Sequence, residues 1–93
     1  MTKYKLQLSG RFKKSYKKCM KRVLDASLFE EVVSLLSEGK ELPTKYKNHH
    51  LHGDYEGWMD CHIQPDWLLI WRYKDDELIL CLLATGSHSD LFG

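Results

Sequence analysis

Five histidines, His49, His50, His52, His62 and His88, fall in the second half of this 93-residue chain, interleaved with Asp54, Asp60 and Asp66. Imidazoles mixed with carboxylates support two kinds of chemistry. As ligands they hold zinc or a similar divalent ion, although the chain has neither an HExxH motif nor a cysteine-rich ligand spacing. As proton carriers they suit metal-free phosphodiester cleavage, in which one group takes the proton of a ribose 2′-hydroxyl and another protonates the departing 5′-oxygen. An imidazole with an unshifted pKa near about 6.5 serves either transfer at neutral pH, each worth roughly 10²- to 10⁴-fold in rate. A neighbouring carboxylate fixes the ring's orientation and tautomer. Asp60-x-His62 is such a pairing at strand spacing, Asp66 is a second partner for His62, and His49 and His88 join the group if their segments return beside it. His50 and His52 are weaker candidates, on a loop of no derivable geometry.

These residues need elements to hold them. Residues 4–8 alternate apolar and polar side chains, which predicts a short half-buried strand. From Arg11, Phe12, Tyr16, Cys19, Met20, Val23 and Leu24 recur at steps of three and four along one helix face, with Ser9 as its cap. A second helix is expected from about Ala26 to Glu38, with Ser27 and Glu30 forming a capping box and Gly39 ending it. The short link predicts that the helices fold back as a hairpin over a sheet. Residues 40–56 lack sustained periodicity and are expected to be a long loop. Three strands follow, at Gly57 to Ile63, Trp67 to Tyr73 and Glu77 to Ala84, as an antiparallel meander whose middle strand is apolar on both faces and therefore central. Asp60 and His62 share a face with Trp58. The expectation is a single α+β domain over residues 1–93: an N-terminal strand and two-helix hairpin packed on an antiparallel sheet.

Ninety-three residues leave no room for a doubly wound dinucleotide fold or a (β/α)8 barrel. The net charge of +1 hides a strong asymmetry: residues 1–50 carry +7 and residues 51–93 carry −6. Arg11, Lys13, Lys14, Lys17, Lys18, Lys21 and Arg22 follow one another on the first helix with no acid between them. A cationic flank of that kind positions a nucleic-acid backbone without reading its bases, and Lys13 and Lys17, with Arg72 on the central strand, are candidate RNA contacts. It also suits an acidic polypeptide that orders on binding. Cys19, Cys61 and Cys81 show no paired spacing and sit among apolar neighbours, so all three are expected to be reduced core residues. No apolar stretch reads as a signal peptide or a membrane span, and the expected compartment is the cytoplasm.

The segments Tyr46 to His49, Leu51 to Gly53, Gly57-Trp58, Asp60 to Trp67 and Thr85 to Gly93 together resemble the YafQ-type mRNA-interferase toxins of the RelE superfamily. The resemblance rests on several short motifs in the right order: His49, Asp60-x-His62, Pro65-Asp66-Trp67 and Gly86-x-His88-x-x-Leu91-Phe92. It implies a microbial-RNase-like fold and a bacterial, ribosome-dependent endoribonuclease without a cofactor. A cognate antitoxin would hold the toxin inactive and carry any contact with operator DNA. On the matching positions, His49 and His62 with Asp66 would serve proton transfer, and His88 would be an acid or a phosphate contact. Asp60 would support the site, while Trp67 and Phe92 would place the RNA. One position departs from the family pattern, because Ala84 stands where an arginine is expected to stabilise charge on the phosphate. The chain is then a weak variant, one that recruits a helix lysine or Arg72, or an inactive homologue that only binds antitoxin or ribosome.

Overall fold

The computed structural model describes residues 3–22 and 24–93. Strands β1 (Lys5–Leu8), β2 (His49–His50), β3 (Met59–Gln64), β4 (Trp67–Lys74) and β5 (Ile79–Gly86) form one sheet in the order β1-β5-β4-β3-β2. The meander β3-β4-β5 is antiparallel, as its turn residues imply, and β4 is central. β1 runs parallel to β5, the single parallel pairing among the described strands. Helices α1 (Gly10–Cys19) and α2 (Ala26–Ser37) lie in the connection from β1 to β2 at the opposite edge of the sheet.

Alternation along β4 divides the core. Trp67, Leu69 and Trp71 join Phe12, Cys19, Val32, Leu36, Leu80 and Leu82 on the helix side. Leu68 and Ile70 face the other side with Ala84 and Leu91, under Leu51, Tyr55 and Trp58 from the long loop. A strand buried on both faces reads as a continuous apolar run, which is why β4 is legible as central. The three cysteines are free and buried, as expected.

Three local expectations change. All four β1 residues are exposed, because β1 is an edge strand and the chain leaves it at once for α1, which then runs beside β5 instead of covering Leu6 and Leu8. The hand-over is bonded: Ser9 caps α1 through Phe12 N–H and donates its own hydroxyl to the Leu83 carbonyl, and Thr85 N–H donates to Ser15 Oγ. Helix α1 ends at Cys19, one residue before Met20, and Val23 lies outside the described residues. The cap of α2 is Asp25, which accepts from Ser27 N–H, so Ser27 is inside the first turn and not the cap. Gly39, at φ +73°, does terminate that helix.

The long loop is more ordered than its composition suggests. It contains the two residues of β2, which add to β3 with His49 opposite Asp60, and short 3-10 turns at Thr44–Tyr46 and Gly53–Tyr55. Gly86, the last residue of β5, leads through Ser87 into the one-turn helix α3 (His88–Phe92). Its N-terminus carries a complete capping box: Ser87 Oγ accepts from Asp90 N–H while Asp90 Oδ2 accepts from Ser87 N–H.

Candidate active site

Four parts of the fold bring His49, Asp60, His62, Asp66 and His88 together. Strand alternation puts Asp60 and His62 on the face away from α1 and α2, and pairing with β2 sets His49 opposite Asp60. Asp66 lies in the β3–β4 turn, and α3 begins with His88 beside that turn. The ring centroids of His49 and His62 are 6.0 Å apart, those of His62 and His88 5.4 Å, and those of His88 and Phe92 6.4 Å. His50 is exposed, and His52 pairs across 3.4 Å with Glu56 at the surface; neither belongs to this row.

Hydrogen bonds fix how the rings face. Asp66 Oδ1 accepts from both the backbone N–H and Nδ1 of His88, each at 3.0 Å, which leaves His88 Nε2 turned outward. Those two bonds hold the Asp66 carboxyl below its ordinary range. His49 Nδ1 donates to the Lys47 carbonyl at 2.8 Å, so its Nε2 is directed at Asp60 Oδ2, 3.5 Å away. With Nδ1–H committed, that contact is attractive only when a proton is held by one of the two partners. Asp60 suits such sharing. Its side chain is 3% exposed, and burial pushes its carboxyl up from 3.8 to about 6, partly opposed by the charges of His49 and His88. Asp60 Oδ1 is buried without a partner. His62, with Nε2 3.8 Å from Asp60 Oδ2, is held below its ordinary value, first by burial and then by His88, His49 and Lys47, which favours its neutral form.

His49, Asp60 and His62 each offer one donor atom, these lie within 4.8 Å of one another, and nitrogen and oxygen donors suit a divalent ion such as zinc or copper. The unpartnered Asp60 Oδ1 is compatible with that use.

Other expected site residues are placed differently. Trp67 is 1% exposed, packed against Phe29, with Nε1 donating to Thr85 Oγ1 at 2.8 Å. It therefore braces β4 against β5 from the helix side and offers no surface for RNA. The reason is parity: it lies one strand position out of phase with Leu68, which faces the histidine side. Phe92 is 46% exposed next to His88 and remains available as a stacking surface. Arg72 lies over the Trp58 ring, its guanidinium carbon 4.5 Å from the centroid, away from the histidine row. Lys13 and Lys17 are exposed on a different flank of α1 from Arg11, Ser15 and Lys18, the stripe that, with Arg22 just beyond the helix, meets the C-terminal elements. Ala84 is fully buried beside Ile70 and under Leu91.

Two features escape the sequence reading. Asp90 bonds Arg22 at 2.8 Å and faces Lys18 at 3.6 Å, tying α3 to the end of α1. The Ser87-x-x-Asp90 spacing is the signal that could have revealed its capping half. Lys47, two residues before His49, lines a cavity with His62, Gln64 and Pro65, and nothing in the local pattern points to it.

The model of the family described as bacterial toxin of type II toxin-antitoxin system, YafQ, matches residues 4–93. The mRNA interferase toxin YafQ of Escherichia coli K12 is 37% identical over 89 residues, 95% of each chain. YafQ in the crystal structure of the E. coli DinJ-YafQ toxin-antitoxin complex superposes with a TM-score of 0.87 at 35% identity, over 98% of this chain and 99% of that one. A metal-bound toxin from Helicobacter pylori does so with a TM-score of 0.88 at 37% identity, over 99% and 100%. A row of histidines on this sheet face, in a chain matched from Tyr4 to its last residue, identifies the protein as a member of the YafQ family of bacterial type II toxin–antitoxin toxins, within the RelE superfamily.

Proposed function

We propose that the chain is a ribosome-dependent endoribonuclease that cleaves mRNA by internal attack of a ribose 2′-hydroxyl. The observation that carries this reading is the pairing of a largely buried His62 with an Asp66-anchored His88, their rings 5.4 Å apart. His62 takes the 2′-hydroxyl proton as O2′ bonds to phosphorus. The bond from phosphorus to O5′ breaks, and His88 Nε2 delivers a proton to the leaving oxygen. The products are a 2′,3′-cyclic phosphate and a 5′-hydroxyl. Asp66 holds the His88 tautomer, the proton shared by His49 and Asp60 keeps that side of the groove electrostatically balanced, and Phe92 stacks a base. A divalent ion held by His49, Asp60 and His62 would occupy the lone pairs that proton transfer needs, so the two uses of these residues exclude each other.

The partners follow from the family. The E. coli relative is found in complex with DinJ, and a cognate antitoxin is the expected inhibitor here, carrying any contact with operator DNA. The competing reading, an inactive homologue that only binds antitoxin or ribosome, rests on Ala84.

Mapping mRNA 5′ ends on programmed ribosomes tests the proposal. Protein stripped of metal should produce new 5′-hydroxyl ends, and His62→Gln should reduce their yield at least about 100-fold, the scale of one lost proton transfer. Equal ends with both proteins, or none with either, would sink the nuclease reading. Cleavage that appears only after a divalent ion is restored would favour a metal-dependent reaction.

A further inference from the structure

We propose that Lys47 supplies the positive charge that stabilises the cleaved phosphate, the role that the family pattern gives to an arginine at the position of Ala84. The inference rests on the nuclease reading and deepens it.

Most other cations around the groove are committed elsewhere. Arg22 and Lys18 are held by Asp90, 2.8 and 3.6 Å away. Arg72 lies on Trp58, and Arg11 donates to Tyr55 Oη at 2.7 Å. Lys45 lies over the Tyr46 ring at 5.0 Å, Lys40 pairs with Glu38, and Lys3 lies over Tyr4. Lys13, Lys14, Lys17 and Lys21 belong to α1 and its end, and Lys5 and Lys74 to the β1–β5–β4 side of the sheet. Lys47 makes no ion pair among the described residues and borders the same cavity, of about 330 Å³, as His62; Lys45 lines that cavity too, with its ammonium over the Tyr46 ring. Antiparallel continuation of β2 beyond His49 runs the Lys47 backbone alongside His62. The Lys47 charge also bears on the His62 ring.

The backbone of Lys47 adds a second observation. It adopts the left-handed conformation at φ 48°, ψ 45°, a turn that glycine makes without steric cost, and by doing so it aims its carbonyl at His49 Nδ1. A lysine there gives one residue two uses: the carbonyl orients His49, and the side chain adds a cation to the cavity it lines with His62. In the reaction, negative charge grows on the non-bridging phosphate oxygens as O2′ bonds and O5′ leaves. A preorganised cation acts where that charge develops.

Single-turnover cleavage of ribosome-bound mRNA, at saturating protein, separates the two uses. Lys47→Gly keeps the carbonyl and relieves the left-handed backbone, so its thermal midpoint should equal or exceed that of the unaltered chain. Its cleavage rate should still fall about 10²- to 10³-fold, the scale of a lost charge-stabilising donor. Lys47→Gln should lose as much, whereas Lys47→Arg, which keeps the charge, should remain within about fivefold on the same reasoning. If Lys47→Gly and Lys47→Gln cleave within a few-fold of the unaltered chain while His62→Gln is inactive, the assignment to Lys47 fails and the nuclease reading stands. A loss that Lys47→Arg does not restore also overturns the assignment. Absence of cleavage by the unaltered chain overturns both.

Discussion

Asp60 sits behind His49 and His62 where water cannot reach its Oδ1, and no protein group replaces that water. Burial therefore favours its neutral form, and the folded carboxyl titrates near about 6 against 3.8 when unperturbed. Below about pH 4 the residue is protonated whether the chain is folded or not, and its contribution to stability is fully present. As pH rises from about 4 to 6 the unfolded chain gives up this proton first, and the contribution is lost progressively; above about 6 the deficit is constant. Two pKa units set its upper bound near about 3 kcal/mol. Asp60→Asn should therefore be the more stable protein at pH 7, by up to that amount, and should lack this part of the decline between pH 4 and 6. Urea unfolding of both proteins across that range measures the difference, and an Asn variant less stable at pH 7 would mean that pairing with the histidines outweighs burial. Cleavage should still suffer, because an amide cannot share a proton with His49. The His62 ring is shifted the opposite way: burial and the neighbouring cations hold it below its ordinary value, which suits the base role proposed for it.

Among the elements, α3 has the most to do with the fewest residues. Five residues cannot hold a helix by themselves, so its position depends on the Ser87 and Asp90 capping box, the ion pair to Arg22 and the burial of Leu91. Gly86 makes that corner possible. A Cβ there would lie 2.9 Å from both Cβ and Oδ2 of Asp90, and the backbone is at φ +157°. Gly86→Ala should push Asp90 out of its cap and carry His88 away from Asp66. A misplacement of about 1 Å is enough for a loss near 100-fold in cleavage. The test is the single-turnover rate of this variant together with its structure; full activity with α3 undisturbed would show that the corner tolerates a side chain. Most of this architecture can be read from residue order. The period of α1 and α2, the doubly apolar β4 and the phase of Asp60 and His62 are local patterns, and each maps directly onto a face. The burial of Trp67 follows from its phase along β4, opposite to that of Leu68, whereas exposure of β1 and the commitment of Arg72 to Trp58 depend on which strands are neighbours. The same is true of the site. His49 and Asp60 meet only because two residues of a loop add to the edge of β3, and no periodicity announces a two-residue strand.

On the scale of the whole molecule, the site is shallow. His49, His88 and Asp66 keep half or more of their side-chain surface exposed, so little of an RNA strand could be enclosed by a body measuring only 33 × 30 × 27 Å. Proton transfer depends on placement, and a groove that encloses little must receive its substrate already positioned. The charge asymmetry offers a way to dock on such a substrate. The −6 half holds His62, His88 and the acids beside them, with His49 at the end of the +7 half, while α1 concentrates cations from that +7 half. One flank of α1 and the turn after it are spent on Tyr55 and Asp90, through Arg11 and Arg22, with Lys18 within 3.6 Å of the same carboxylate. Lys13 and Lys17 face elsewhere, exposed and without an ion pair among the described residues, which suits contact with phosphates outside the cleavage groove. Reversing both charges, Lys13→Glu with Lys17→Glu, should weaken association with programmed ribosomes and reduce its dependence on salt. Each lost phosphate contact lowers the slope of log K against log salt concentration by roughly 0.7 to 0.9. The cleavage rate at saturating protein should stay unchanged, because neither residue touches the elements that carry His62 or His88. Binding measured at four or five salt concentrations reads the slope directly. An unaltered slope would remove α1 from the docking surface, whereas an unaltered slope with a slower saturated rate would place these lysines in the chemistry.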